Sequence, residues 1–189
     1  YASIYDSGVN KPSKNWWVLL KGGTAYEMVK VTPRVLYKDD VTLTPLTLKV
    51  EDLVDFGFWY KVKTGTPGPH IEIKVYQNSD GTGNWANIAA RVDKNVVTGW
   101  RHYTLNTIET FIGGWSSDSA FQVTGQSGTG LPTGEFHSFE HWTSLLPSYY
   151  VGSVAVQAQG DTSAYIDDLS IAYTMGDSGV RYERVYNME

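Results

Sequence analysis

Apolar and polar residues alternate along most of the chain, interrupted by clusters of Gly, Pro, Asn and Asp, and this period of two predicts β-strands. Ala25 to Thr32 alternates and stops at Pro33, and Leu46 to Val50 reads as the next strand. Asp55 to Lys63 sets Phe56, Phe58, Tyr60 and Val62 on one face, and His70 to Tyr76 alternates cleanly. Between them, Thr64-Gly65-Thr66-Pro67-Gly68-Pro69 is a turn sequence, which predicts that the two strands pair with each other antiparallel. Trp85 to Val92, Gly99 to Leu105, Tyr150 to Ala158 and Ala164 to Tyr173 complete the expected core strands. Gly113 to Gly134 is rich in Gly, Ser and Thr and reads as a long surface loop. One segment departs from the β pattern. Phe136, Phe139, Trp142 and Leu146 recur at intervals of three and four, which predicts a short amphipathic helix near residues 134–146, capped by Thr133 and lying across one end.

About eight strands at this spacing, with no alternation of strands and helices, predict an all-β antiparallel sandwich or barrel. The 189 residues fit one domain spanning 1–189, with strand-like tails at about 1–10 and 176–189. No internal repeat or linker interrupts it.

Composition narrows the partners. A hydrophobic fraction of 41% can build a sizeable core, and 13 Tyr and 7 Trp against 6 Phe favour rings with one apolar and one wet end. A net charge of −5 and the lack of any Lys/Arg run exclude the electrostatic footprint of a nucleic-acid binder and disfavour an anionic membrane surface. No segment reaches the ~18 apolar residues of a membrane span. Cys is absent, which removes disulfides, thiolate metal sites and Cys nucleophiles. The start at Tyr1-Ala2-Ser3 leads to the expectation of an exported chain whose leader has been removed, working outside the cell or at its surface.

Three patterns bear on chemistry. His137-Ser138-Phe139-Glu140-His141 matches H-x-x-E-H, in which two imidazoles on one helical face hold zinc beside a Glu base. That chemistry also needs a downstream acidic ligand on a second helix, which is not predicted, so surface histidines on a capping helix are expected instead. Glycosidase chemistry needs paired carboxyl groups, and Glu72 has no acidic partner at matching register on the neighbouring strands. The expectation is therefore a protein that is not an enzyme. Calcium is better served: Asn78-Ser79-Asp80-Gly81-Thr82-Gly83-Asn84 gathers oxygens within one loop around Asp80, without the closing Glu of an EF-hand. A second candidate set joins Asp167 and Asp168 to oxygens from the N-terminal segment, such as Asp6.

Tyr165-Ile166-Asp167-Asp168-Leu169-Ser170-Ile171 resembles the closing strand of many jelly-roll carbohydrate-binding modules, and Gly99-Trp100-Arg101-His102-Tyr103-Thr104-Leu105 resembles the preceding strand of the same modules. The resemblance implies a jelly-roll β-sandwich, and a structural calcium at Asp167 or Asp168. It carries over no sugar-stacking ring; Trp59, Trp85, Trp115 and Trp142 are the exposed-aromatic candidates for glycan contact. In general character, free of Cys and rich in Tyr, Thr and Gly, the chain also resembles subunits of archaeal extracellular filaments and tubes, the cannula subunits among them.

Both ends are strand-like: Tyr1 to Tyr5, and Val180 to Tyr186. A terminal strand that pairs with the sheet edge of a neighbouring copy gains ladder hydrogen bonds and covers an edge that is otherwise an aggregation hazard. Ile4, Tyr5, Tyr182 and Val185 are the residues expected to make such an assembly contact. The expected function is a non-catalytic extracellular subunit that polymerises with identical copies by strand exchange, with calcium as a structural ion. The alternative is a carbohydrate-binding module of a secreted polysaccharide-acting protein.

Overall fold

The computed structural model describes residues 3–6, 16–22, 27–31, 48–65, 68–90, 99–105, 119–158, 160–174 and 179–186. They form an all-β sandwich of two antiparallel sheets. The strands are β1 (Ser3–Asp6), β2 (Trp16–Lys21), β3 (Glu27–Val31), β4 (Leu53–Thr64), β5 (His70–Tyr76), β6 (Trp85–Ala90), β7 (Arg101–Thr104), β8 (Phe121–Ser127), β9 (Phe136–His137), β10 (Tyr150–Ala158), β11 (Ser163–Thr174) and β12 (Arg181–Tyr186), with a helix α1 at Phe139–Ser144. One sheet runs β1-β2-β11-β4-β7 with β12 also paired to β11; the other runs β3-β10-β5-β6-β8-β9.

Period-two burial creates the core. Phe56, Phe58 and Tyr60 point inward from β4 of the first sheet, and Ile71, Ile73 and Val75 point inward from β5 of the second. Each such side chain withdrawn from water contributes about 1.5–3 kcal/mol. These two strands do not pair, contrary to the hairpin expected from the intervening turn: β4 pairs with β11 and β7, and β5 with β10 and β6. The connection crosses from one sheet to the other, starting at Gly65, whose φ of 79° and contact with the backbone of Asp161 and Thr162 leave no room for a Cβ.

Other expectations are corrected locally. Leu48 to Val50 is not a strand: Lys49 makes an isolated bridge to Tyr150, and Val50–Asp52 is a 3-10 turn, while residues 46–47 lie outside the described residues. The segment read as a loop contains β8, which pairs with β6 and β9. The helix is shorter than expected because Phe136 and His137 are held extended against Gln122 and Phe121. Ser138, not Thr133, is its cap, with Oγ accepting the N–H of His141 at 3.1 Å. Phe139 then packs edge-on against Phe56, with centroids 5.4 Å apart, and tilted against Phe121 at 5.2 Å, which closes one end of the core.

Candidate functional site

The C-terminal edge of the first sheet is built around a bulge. β11 pairs with β4 along one flank, and its other flank is divided: Ser163 to Ile166 pair with β2, and Leu169 to Thr174 with β12. The division falls at Asp167-Asp168, where the ladder to β4 shifts register and Asp168 takes φ 44°. Asp tolerates this left-handed geometry better than most residues. Asp167 is fully buried and its Oδ1 accepts the Asp168 N–H at 2.9 Å. The Asp pair thus shapes the strand so that two different strands dock along one flank.

β12 is unusual among these strands in what it leaves uncovered. Val180, just before the strand, and Val185 are each 50% exposed and Tyr182 is 42% exposed, three of the six exposed large hydrophobic side chains among the described residues. Arg181 and Glu183 are exposed as well, so neither face of the strand from 181 to 183 is buried. Among the described side chains of β12, Tyr186 packs against the core, and only partly. Two contacts fix the strand's register. On one face Tyr182 stacks on Tyr173 of β11, with centroids 5.8 Å apart. On the other, the Arg181 guanidinium lies 3.5 Å from Oδ2 of Asp55 on β4, reaching past β11. Asp55 is fixed for this contact, because its Oδ1 accepts the N–H groups of Phe56 at 2.9 Å and Leu105 at 3.2 Å.

The candidate calcium ligands lie in two separate places, the Asp80 turn and the Asp167-Asp168 bulge. Asp80 is occupied within its own turn, where its carboxylate accepts the Thr82 N–H at 2.9 Å and the Thr82 hydroxyl, and these bonds hold its pKa below the usual carboxylate value. β1, which carries Asp6, pairs with β2 and not with β11, so it lies two strands from Asp167, a backbone separation of about 10 Å. Among the described residues no three His, Asp or Glu side chains are grouped as a metal site. Ile4 and Tyr5 pair with Val18 and Trp17 of β2 in the same chain.

The aromatic candidates separate in the same way. Trp142 is fully buried, with its indole N–H donating to the Phe121 carbonyl at 3.1 Å, so it is a core residue and not a glycan contact. Trp115 lies outside the described residues. Trp59 is half-buried on the first sheet, its ring stacked on His102 with centroids 4.7 Å apart. Burial lowers the His102 pKa, against the opposing pull of Asp55, Asp168 and Glu183. Trp85 is half-buried on the second sheet, beside its ladder partner Tyr76. Lys74 reaches over both rings, 4.6 Å from Trp85 and 5.2 Å from Tyr76. Each ring lies over a glycine: a Cβ on Gly152 would collide with the Tyr76 ring, and one on Gly125 would meet Trp85 at 3.6 Å. Further along this face Glu72 bonds the Thr124 hydroxyl at 3.3 Å, and burial raises its pKa. Asn87 sits between, with a buried Oδ1 that has no hydrogen-bond partner.

The H-x-x-E-H residues do not share a helix. His137 belongs to β9 and His141 to α1. Their rings nonetheless stack 4.1 Å apart, and both pack edge-on against Trp142, at 4.9 and 5.0 Å. His137 Nε2 is 3.5 Å from Glu135, and Glu140 is exposed. The cluster covers the buried indole. Sequence reasoning missed Asp55, Arg181 and Tyr173, because their meeting depends on which strands flank β11.

No protein-family model matches the chain, and neither does any curated protein. No helix among the described residues is long and apolar enough to cross a membrane.

Proposed function

We propose that the chain is a non-catalytic extracellular structural subunit that polymerises with identical copies by exchanging its C-terminal strand. The observation that supports this most directly is β12, a docked strand that leaves Arg181, Tyr182, Glu183 and Val185 exposed and so presents uncovered side chains on both faces. Ordering its 6 residues costs on the order of 1–2 kcal/mol each. The ladder bonds return a net ~1 kcal/mol apiece, and little side-chain burial is added. The same strand supplied by a second copy makes the same bonds, and chain concentration then tips the equilibrium. A copy that gives one strand and receives one forms a head-to-tail contact, which grows into a filament or tube when the rotation does not close. The exposed Val180, Tyr182 and Val185 offer apolar surface for the next copy to cover.

Electron microscopy and size-exclusion chromatography of the full chain and of a chain lacking residues 176–189 test this. Filaments or large oligomers from the full chain and a folded monomer from the shortened one are expected. Undiminished assembly without the tail, or a full chain that stays monomeric at high concentration, counts against it.

A second reading, carbohydrate binding, is favoured by the second sheet's outer face. Tyr76 and Trp85 over glycines give flat rings of the kind that stack on sugars, and the unpartnered Asn87 Oδ1 would accept from a hydroxyl. Isothermal titration against a polysaccharide panel decides it: binding abolished by Trp85→Ala supports it, and no heat with any glycan removes it.

A further inference from the structure

We infer that the Arg181–Asp55 pair and the Tyr182–Tyr173 stack form an address, by which the sheet edge of one copy selects the C-terminal strand of a second copy of this chain and fixes its register. This rests on the strand-exchange reading and names its specificity-determining residues. Three observations carry it. First, the ladder between β11 and β12 is made of backbone groups, which do not distinguish one strand or register from another, and a slip by one residue would turn every side chain to the opposite face. Second, the two side-chain contacts lie on opposite faces of β12 at consecutive residues, so a slip breaks both together. Third, the receiving carboxylate is held by groups outside β12: Oδ1 of Asp55 accepts two backbone N–H groups, and Oδ2 faces the guanidinium. Ala172, opposite both Asp55 and Glu183 in the ladders, is small enough for the Arg181 side chain to pass over it. With half of Arg181 in water the pair adds little stability, and its effect is on choice of partner.

The absence of cysteine in the chain makes a direct test available. Ser170 and Val185 are ladder partners across β11 and β12, at a spacing that suits a disulfide. Full-length Ser170→Cys is mixed with full-length Val185→Cys under mild oxidation, and covalent heterodimers are counted on a non-reducing gel. With one chain carrying a mass tag so that heterodimers run apart from homodimers, a heterodimer yield well above that of Val185→Cys mixed with a chain bearing a cysteine elsewhere on the surface reports the strand of one chain in the edge of the other in the native register. Cross-linking is expected. Adding Arg181→Glu to the Val185→Cys chain is expected to cut the yield several-fold at low salt. Asp55→Asn on the receiving chain, which keeps the Oδ1 acceptor and removes the charge, should restore much of it. Tyr182→Ala on the donor should lower the yield at all salt concentrations. Circular dichroism confirms that each variant is folded. Cross-linking that ignores Arg181→Glu, or a loss that Asp55→Asn does not relieve, overturns the address while leaving strand exchange intact. Polymers from the parent chain without any cross-link overturn exchange of this strand and the address with it, and so does a parent chain that never assembles.

Discussion

His70 is 3% exposed on β5, and burial lowers its pKa from 6.5 to about 4. The folded chain therefore keeps the imidazole neutral where the unfolded chain has already taken up a proton. In that window the unfolded state binds more protons, so this group's contribution to stability is fully present above pH 6.5 and is lost as the pH falls toward about 4. The loss is up to about 3 kcal/mol. Urea midpoints measured between neutral and mildly acid pH should fall for the parent chain and fall much less for His70→Gln; parallel profiles would contradict this. Glu72 works in the opposite direction. Burial raises its pKa, so its contribution is present below the ordinary carboxylate range and is lost as pH rises through the folded value. Glu72→Gln, which keeps a partner for Thr124, is expected to raise the urea midpoint at neutral pH and to have no such effect in acid. Gly152 is a steric position: Gly152→Val puts a branched side chain into the space of the Tyr76 ring and is expected to cost about 1–3 kcal/mol by the same measurement.

At the scale of elements, Ser138 sets where α1 begins, and Ser138→Ala should cost about 1 kcal/mol by thermal or urea denaturation, with the strands intact. The comparison between sequence and structure is also most instructive here. Period-two alternation marked β5, β11 and the start of β6 closely, because a half-buried strand must alternate whatever lies beside it, whereas β10 is buried on both faces. Alternation identifies the buried face and is silent about the sheet. Hence Phe56, Phe58 and Tyr60 were legible as inward residues, but their position across the core from Ile71 and Ile73 was not. β8 carried the signal in Phe121 and Val123, hidden by its Gly, Ser and Thr neighbours. Trp142 could have been placed correctly, since the helical stripe it shares with Phe139 and Leu146 is the pattern of a buried face, and all three are buried. The bulge at Asp167-Asp168 was beyond reach. Left-handed backbone at a non-glycine residue has no composition signature, so the division of the flank of β11 at the Asp pair could not be read from the sequence.

The molecule as a whole separates into a part that folds and a part that can join. Stability lies in the inward residues of both sheets, where Phe58 of the first and Ile73 of the second are fully buried, while Tyr182 and Val185 on β12 stay about half exposed. Truncating a core residue creates a cavity and costs about 2–5 kcal/mol. Changing an exposed residue of an edge strand costs a few tenths. The two parts should then respond independently. Ile73→Ala is expected to lower the unfolding midpoint sharply and, at temperatures where it is folded, to assemble like the parent, because the edge of β11 and the strand it receives are untouched. Tyr182→Asp with Val185→Asp is expected to unfold at nearly the parent midpoint and to stay monomeric, because the stack on Tyr173 is lost and each face of the strand then carries a carboxylate that a neighbouring copy would have to bury. Denaturation and size-exclusion profiles of the two variants, run side by side, measure both effects. A Tyr182→Asp/Val185→Asp chain that loses fold and assembly together would mean that β12 is an integral part of the sandwich, and the division between a rigid body and an exchangeable strand would have to be given up.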